Sequence, residues 1–220
     1  MIKNRTAQLV LQTVYCTLGL VAFASSIGVY NAQFQDNFYV YFTNLSNYIC
    51  MGIMFAELFQ TIKYANRKED GFCTVFPALK FVGMIMLLIT FLVYNFLLAG
   101  LNTLSQNLAA ESLIHHVFLP VLYVADWLLF YERKKVKWFY PILSLIAPLL
   151  YVIFIFVRAA VIYNKGLFVY PVYPYFFLNV DTIGWNGVLS WIVVMLVVFI
   201  VLGYLLFFID HIGKRNKDSV

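Results

Sequence analysis

Long uninterrupted apolar stretches are the feature that most constrains the fold of this 220-residue chain. A helix needs roughly 20 apolar residues to cross about 30 Å of hydrocarbon. Such stretches lie near residues 7–30, 38–62, 77–101, 113–131, 138–163 and 188–209. They predict an all-α polytopic membrane protein, a bundle of six transmembrane helices. Residues 1–220 then form a single integral membrane domain.

Composition and charge distribution agree with this prediction. Hydrophobic residues make up 63% of the chain and charged residues only 11%, whereas soluble domains carry about 25% charged residues. The cations gather at alternate helix ends, at Lys3 and Arg5, at Lys63, Arg67 and Lys68, at Arg133, Lys134, Lys135 and Lys137, and at Lys214, Arg215 and Lys217. Because cytoplasmic loops retain positive charge during insertion, we expect both termini to be cytoplasmic.

The net charge of +5 does not indicate a nucleic-acid partner, since the cations are spread over short loops without interleaved base-stacking aromatics. Cys16, Cys50 and Cys73 have no metal-binding spacing, so neither a metal nor another cofactor is predicted. The expected partners are membrane lipids. The sequence leaves the oligomeric state open.

Polar residues inside the apolar stretches are the candidates for function, because an ionised group costs roughly 2.5–3.5 kcal/mol at the centre of a membrane helix. They fall in two layers. The outer layer contains Thr43, Asn44, Ser46, Asn47, Tyr94, Asn95, His115, His116 and Arg158. The inner layer contains Glu57 and Asp126.

Helical spacing places one outer and one inner group on the same face of two helices. At 100° per residue, Thr43 and Glu57 point within about 40° of each other, and His115 and Asp126 within about 20°. The second and fourth helices should therefore face one cavity. A threonine hydroxyl needs a neighbouring base to become a nucleophile, and histidine titrates near neutrality. Thr43 and His115 are thus a candidate pair.

The other outer residues suggest supporting roles. Asn44, Asn47, Asn95 and Tyr94 could donate hydrogen bonds to a developing oxyanion, and Arg158 could hold a lipid carboxylate or phosphate. Each candidate also has a structural interpretation. A membrane threonine often bonds its own backbone, a membrane arginine can extend to the headgroups, and Glu57 and Asp126 can simply pair with Lys80.

Two segments carry a family resemblance. Residues 40–44, which read VYFTN, and residues 115–120, which read HHVFLP, resemble the signature regions of the androgen-induced/ADTRP family of intramembrane threonine hydrolases. The chain is most similar to the prokaryotic six-helix members of that family. Weaker similarity extends to Tyr140 and Pro141 and to residues 166–171. The resemblance implies a prokaryotic cell membrane and cleavage of fatty-acyl esters of lipids.

The same resemblance implies that Thr43 is the nucleophile and His115 its partner, since a proline follows His115 at the family's spacing of five residues. Where the family tends to place a second histidine, this chain has Ser112, which leaves the role of His116 open. The leading hypothesis is a lipid-ester hydrolase, with acyl transfer as a close variant. The alternatives are a small transporter that uses Glu57, Asp126 and the histidines, and a regulatory membrane subunit without chemistry.

Overall fold

The computed structural model describes residues 4–67 and 74–212, and these ranges contain helices and connecting loops but no β-strand. The six long helices are α1 (Arg5–Ser26), α2 (Phe42–Arg67), α3 (Pro77–Leu101), α4 (Ala110–Phe130), α5 (Tyr140–Asn164) and α6 (Val180–Ile212). A short helix, Leu104–Asn107, connects α3 to α4. Lys3, Lys68, Cys73, Lys214, Arg215 and Lys217 lie outside the described residues.

Five of these helices, α1, α3, α4, α5 and α6, are long and apolar enough to cross a membrane. They are compatible with an integral membrane protein. The predicted second crossing corresponds to α2, which has 26 residues but is less apolar because hydroxyl, amide and charged side chains interrupt it. The polar side chains of α2 face the inside of the bundle, because Thr43, Asn47 and Glu57 are buried while the apolar Ile49 and Phe59 are exposed.

Helix bounds differ from the predicted ones where local backbone chemistry intervenes. The predicted first helix extended to residue 30, but α1 ends at Ser26 because Gly28 adopts a left-handed conformation, φ 83°. A Cβ atom at Gly28 would lie 1.8 Å from the Gln33 carbonyl oxygen, so only glycine fits this turn. The second helix begins at Phe42 rather than at 38, because turns and a bend occupy residues 36–41, and it continues to Arg67 rather than 62.

The remaining helices are shifted by smaller amounts, with one exception. Residues 77–101 are helical as predicted, and α4 and α5 begin within three residues of their predicted starts. The last helix was predicted from 188, but α6 begins at Val180 and passes a kink at Gly184, φ 66°. Its extra turns follow from the Asn179 side chain, which accepts a hydrogen bond from the Asp181 backbone N–H and caps the helix.

Two apolar cores hold the helices together. The larger core packs α1, α2, α3, α4 and α6 around Tyr15, Phe81, Tyr123 and Trp127. A Cβ atom at Gly83 of α3 would lie only 2.8 Å from the Cys50 sulfur, so the absence of a side chain there lets α2 and α3 approach closely. The smaller core packs α5, α6 and the loop between them around Tyr151, Ile155, Phe177, Leu178 and Val188.

Successive helices run antiparallel, so the polar residues separate to the two ends of the bundle. Ser26, Thr43, Tyr94 and His115 lie at one end of α1, α2, α3 and α4. Gln12, Glu57, Lys80 and Asp126 meet through hydrogen bonds toward the other end. We refer to the groups bonded around His115 as the His115 cluster and to those bonded around Lys80 as the Lys80 cluster.

Candidate functional site

His115 lies in a π-helical turn of α4, Ile114–Phe118. Pro120, which follows this turn, accounts for the change in the hydrogen-bond pattern. In this turn the Leu119 N–H donates to the Ile114 carbonyl, five residues back. Continuing that pattern, the carbonyl of His115 would accept from residue 120, but proline has no N–H. The His115 carbonyl accepts instead from Asn47 Nδ2 on α2, at 3.2 Å. The proline thus helps to join α4 to α2 at this point.

Asn47 connects the two residues predicted to act together. Its Nδ2 atom also donates to the Thr43 carbonyl at 2.9 Å and lies 3.4 Å from Nδ1 of His115. Thr43 and His115 are both buried, at 9% and 3% exposure, so neither faces lipid. The structure brings them together through Asn47 rather than through a direct bond between hydroxyl and imidazole.

Ser26, at the end of α1, contacts the other side of the imidazole. Its Oγ lies 3.0 Å from His115 Nε2 and donates to the Ala22 carbonyl at 2.9 Å. Sequence reasoning did not select Ser26. A signal was present, because Gln12 and Ser26 are 14 positions apart, the same spacing that links Thr43 to Glu57 on α2, and both lie on the buried face of α1.

His116 lies on a different side of α4 and belongs to a stack with α3. Its ring is parallel to that of Tyr94, with 3.5 Å between ring centroids, and its Nδ1–H donates to the Ser112 carbonyl at 2.9 Å. The Tyr94 hydroxyl lies 2.6 Å from Ser112 Oγ and donates to Asn107 at 2.8 Å. His116 and Ser112 therefore tie α3 to α4 beside the site. Tyr94 also begins a π turn, Tyr94–Leu98.

Thr43 borders an apolar cavity of about 80 Å³ between α2, α3, α5 and α6. Aromatic and aliphatic side chains form most of its wall, including Phe42, Phe177 and Trp191. A few hydroxyl groups interrupt this wall. They belong to Thr43, Thr90, Tyr94, Tyr151 and Tyr175.

The loop before α6 covers this cavity at its Thr43 side. The Tyr175 hydroxyl accepts a hydrogen bond from the Thr43 backbone N–H at 3.4 Å. Burial raises the pKa of Tyr175, although its contact with Thr43 opposes the shift, so the phenol stays protonated at neutral pH. Arg158 holds the loop by donating from Nη1 to the Pro171 and Val172 carbonyls, at 2.9 and 2.8 Å. In this structure Arg158 thus secures the loop.

A second apolar space lies on the outer surface of α2, α3 and α5. It is a groove of about 490 Å³ lined by residues such as Leu45, Ile49 and Leu150. Phe42 and Tyr151 line both this groove and the Thr43 cavity. These two rings therefore form the partition between the groove and the cavity.

Two predicted site residues lie away from His115. Asn44 donates to the Phe38 carbonyl at 2.9 Å and secures the turn before α2. Asn95 is exposed and donates to the Phe91 carbonyl of its own helix at 2.8 Å. The structure does not bring either side chain into the His115 cluster.

The predicted inner residues belong to one buried ion cluster. Lys80 Nζ lies 2.7 Å from Glu57 Oε2 and 2.7 Å from Asp126 Oδ2. Gln12 donates to Asp126 Oδ1 at 3.2 Å, and the Thr61 hydroxyl donates to Gln12 at 2.8 Å. The same-face spacing on α2 and α4 thus leads to the pairing with Lys80 that the structural interpretation allowed.

Sequence reasoning also missed Asp210, because it lies one residue beyond the predicted last span. The residue is fully buried, and its Oδ2 accepts a hydrogen bond from the Val136 backbone N–H at 3.0 Å. This bond ties the loop between α4 and α5 to the end of α6. Asp210 therefore has a structural partner far from His115.

No group of three or more His, Cys, Asp or Glu side chains is placed to hold a metal ion in the described part of the chain. Comparisons with protein-family models, curated proteins and solved structures find no match. The family resemblance of the two short segments therefore stays a prediction. The function must be argued from the site itself.

Proposed function

We propose that the chain is an intramembrane hydrolase of lipid esters, in which Thr43 attacks the ester carbonyl and His115 accepts its proton. The observation that carries the proposal is a buried threonine at the wall of an apolar cavity, whose backbone carbonyl accepts from the same Asn47 nitrogen that bonds the His115 carbonyl and lies 3.4 Å from Nδ1 of the buried imidazole. Catalytic hydrogen bonds are often long without substrate and shorten when it binds. In the proposal, substrate binding completes the contact between hydroxyl and imidazole.

The reaction has two halves. The Thr43 O–H bond breaks as its proton moves to His115, the Thr43 oxygen bonds the ester carbon, and the carbonyl electron pair moves to its oxygen. Collapse of this intermediate expels the alcohol, which takes the proton from His115. Water then attacks the acyl-threonine in the same way and releases the fatty acid. If a lipid hydroxyl replaces water, the same site transfers the acyl group.

Tyr175 supplies the expected stabilisation of the oxyanion. It lines the cavity together with Thr43, and its hydroxyl accepts from the Thr43 backbone N–H, a bond that does not use its own hydrogen. Tyr94 also lines the cavity, but its hydroxyl already donates its hydrogen to Asn107. Asn47 is less suited to this role, because its Nδ2 atom already donates to two backbone carbonyls. Phenol hydroxyls that point to the developing negative charge stabilise it without further rearrangement.

The substrate class follows from the apolar surroundings. The cavity of about 80 Å³ holds only a few methylene groups, whereas ligand sites commonly measure roughly 300–1,000 Å³. The groove of about 490 Å³ lies directly behind Phe42 and Tyr151. We propose that movement of these two rings joins groove and cavity, so that an acyl chain enters sideways from the bilayer.

The proposed topology has six crossings, with α2 as the second and both chain termini cytoplasmic. In α2 the polar groups face the bundle and Ile49, Phe55 and Phe59 face outward, as expected for a helix in lipid. The cations of the loop after α4, which include Lys134 and Lys135, are exposed at the Lys80 end. By the positive-inside rule this end is cytoplasmic, and His115 lies toward the outer leaflet.

The transporter alternative receives less support from the geometry. It depends on Glu57 and Asp126 as an ion or proton path, yet both carboxylates are bonded to Lys80 within the larger apolar core. Buried charged groups that are held in direct ion pairs favour a structural role. We therefore retain the hydrolase as the single proposal.

The test uses the purified protein with an ester-directed covalent probe and a fatty-acyl ester of a hydroxy lipid. Thr43→Val and His115→Gln should each lower labelling and hydrolysis by roughly 1,000-fold or more, as expected when a nucleophile or its base is removed. Thr13→Val, at an exposed threonine of α1, is the matched control and should behave like the parent.

Peptide mapping of the labelled protein identifies the nucleophile. We expect the adduct on Thr43 and not on Ser26, because Thr43 borders the cavity and Ser26 does not. Labelling that persists in both Thr43→Val and His115→Gln would overturn the proposal. An adduct on Ser26 would move the nucleophile to α1.

A further inference from the structure

We infer that Ser26 is a positioning residue for His115, which holds the imidazole with its hydrogen on Nε2 and the lone pair of Nδ1 directed to α2. Both halves of this assignment follow from which neighbouring atoms can only donate or only accept. The catalytic consequence of this assignment rests on the proposed function. The position of the hydrogen on the His115 ring does not depend on the proposed function.

The Nδ1 side is decided by the orientation of the Asn47 amide. One terminal atom of this amide lies 2.9 Å from the Thr43 carbonyl oxygen and 3.2 Å from the His115 carbonyl oxygen. Carbonyl oxygens only accept hydrogen bonds, so this atom must be the nitrogen, and a flipped amide would face two acceptors with an oxygen. The same nitrogen lies 3.4 Å from Nδ1 of His115. An amide nitrogen does not accept hydrogen bonds, so a hydrogen on Nδ1 would face this NH2 group without an acceptor, and Nδ1 therefore presents its lone pair.

The contacts of Nε2 lead to the same position of the ring hydrogen, independently of Asn47. Ser26 Oγ lies 2.9 Å from the Ala22 carbonyl, an acceptor to which the hydroxyl gives its single hydrogen. The Ser26 oxygen is then the acceptor toward Nε2, at 3.0 Å, and Nε2 carries the hydrogen. α1 therefore contributes an acceptor on one side of the ring, and α2 presents an NH2 group on the other.

This arrangement defines the direction of proton transfer. The lone pair that receives the Thr43 proton is on Nδ1, the nitrogen that faces the helix carrying Thr43. When Nδ1 is protonated, the Nε2–H keeps its bond to Ser26, so the ring need not rotate. Serine here occupies the place that a carboxylate holds in many catalytic triads, but it is neutral. A neutral partner suits this site, because the ring contacts given for residues 4–67 and 74–212 are all to uncharged groups.

The ring assignment is tested by nitrogen-15 NMR of the full-length protein with labelled histidine, in lipid nanodiscs. Signals of His115 are identified by their loss in His115→Gln. We expect one non-protonated nitrogen at Nδ1 and a protonated Nε2 in the parent, and a mixture of the two forms in Ser26→Ala. A protonated Nδ1 in the parent, or an unchanged spectrum in Ser26→Ala, would overturn the inference.

The catalytic consequence is tested by hydrolysis. Ser26→Ala should lower kcat by roughly 10- to 100-fold with little change in KM, the range expected for losing a hydrogen bond to a charged group. Ser26→Thr keeps the hydroxyl and should recover most of the rate. Ser25→Ala, one position away and half-buried, is the matched control for folding and should match the parent.

The two measurements separate the possible failures. If the parent shows the expected NMR spectrum but no hydrolysis, the proposed function fails and the ring assignment stands. If hydrolysis depends on Thr43 and His115 but Ser26→Ala has parental kcat, the positioning role is wrong and the hydrolase stands. If Ser26→Thr is as slow as Ser26→Ala, the hydroxyl is not the relevant group and the inference also fails.

Discussion

The Lys80 cluster buries polar groups from α1, α2, α3 and α4, and the His115 cluster buries polar groups from α1, α2 and α4, but the two clusters satisfy these groups differently. In the Lys80 cluster one ammonium lies between two carboxylates, each at 2.7 Å, and the Tyr123 ring lies 4.1 Å from the same nitrogen. In the His115 cluster the partners are neutral hydroxyl, amide and carbonyl groups beside a cavity.

Because of this difference, we expect the Lys80 cluster to contribute mainly to stability and the His115 cluster to the proposed chemistry. Removing one member of a buried ion cluster leaves a charge without a counterion, which costs far more than losing one neutral hydrogen bond. Neutral partners leave the imidazole able to gain and lose a proton. The interrupted helices around His115 and Tyr94 point the same way, since π turns are frequent at functional sites.

The largest effect is expected from Lys80→Met. The variant leaves the Glu57 and Asp126 carboxylates together without their cation, so the free energy of unfolding should fall by about 3–5 kcal/mol. Denaturant unfolding in detergent micelles measures this change. Lys63→Met, at an exposed lysine of α2, should stay within about 0.5 kcal/mol of the parent. A Lys80→Met protein as stable as the parent would remove the contrast between the clusters.

An intermediate effect is expected from Tyr175→Phe, on the His115 side. Loss of the hydroxyl that contacts Thr43 should lower the free energy of unfolding by only about 1 kcal/mol, while kcat for ester hydrolysis should fall roughly 10-fold. Tyr170→Phe, in the same loop but 92% exposed, is the control. Parental kcat in Tyr175→Phe would show that this hydroxyl has no part in the reaction.

The smallest effects are expected from the two asparagines that the structure separates from His115. Asn44→Ala should lower the free energy of unfolding by about 1 kcal/mol, because it removes the hydrogen bond to the Phe38 carbonyl. Asn95→Ala should leave the rate of hydrolysis unchanged, since the side chain is exposed. Its free energy of unfolding should stay within about 0.5 kcal/mol of the parent. A large loss of hydrolysis in Asn95→Ala alone would return this residue to the site and extend the cluster along α3.

Several features of the site were accessible from the sequence because they depend on one helix at a time. The common face of Thr43 and Glu57 follows from helical geometry, and both side chains are buried in the structure. The common burial of His115 and Asp126 on α4 has the same origin. The pairing of Glu57 and Asp126 with Lys80 was one of the interpretations left open.

Other features of the site depended on which helices pack together and on which of their residues lie at the same depth in the bundle. Ser26 and His115 are 89 positions apart, and Tyr175 and Thr43 are 132 apart. No local pattern reports such contacts, because they arise from the packing of whole helices and from the path of the loop before α6. The exposure of Asn95 likewise depended on which neighbouring helices cover its side of α3.

The sequence by itself determined that the chain is helical and that α2 and α4 each have a polar face. It predicted six crossings, whereas five helices of the described residues are apolar enough for a bilayer. Apolar length and the 100° period are local properties, so they can be read residue by residue. Only the tertiary structure decided that Asn47 joins Thr43 to His115, that Ser26 holds the other ring nitrogen, and that charges gather at Lys80. Hydrogen bonds need atoms within about 3 Å, and that precision comes from packed neighbours.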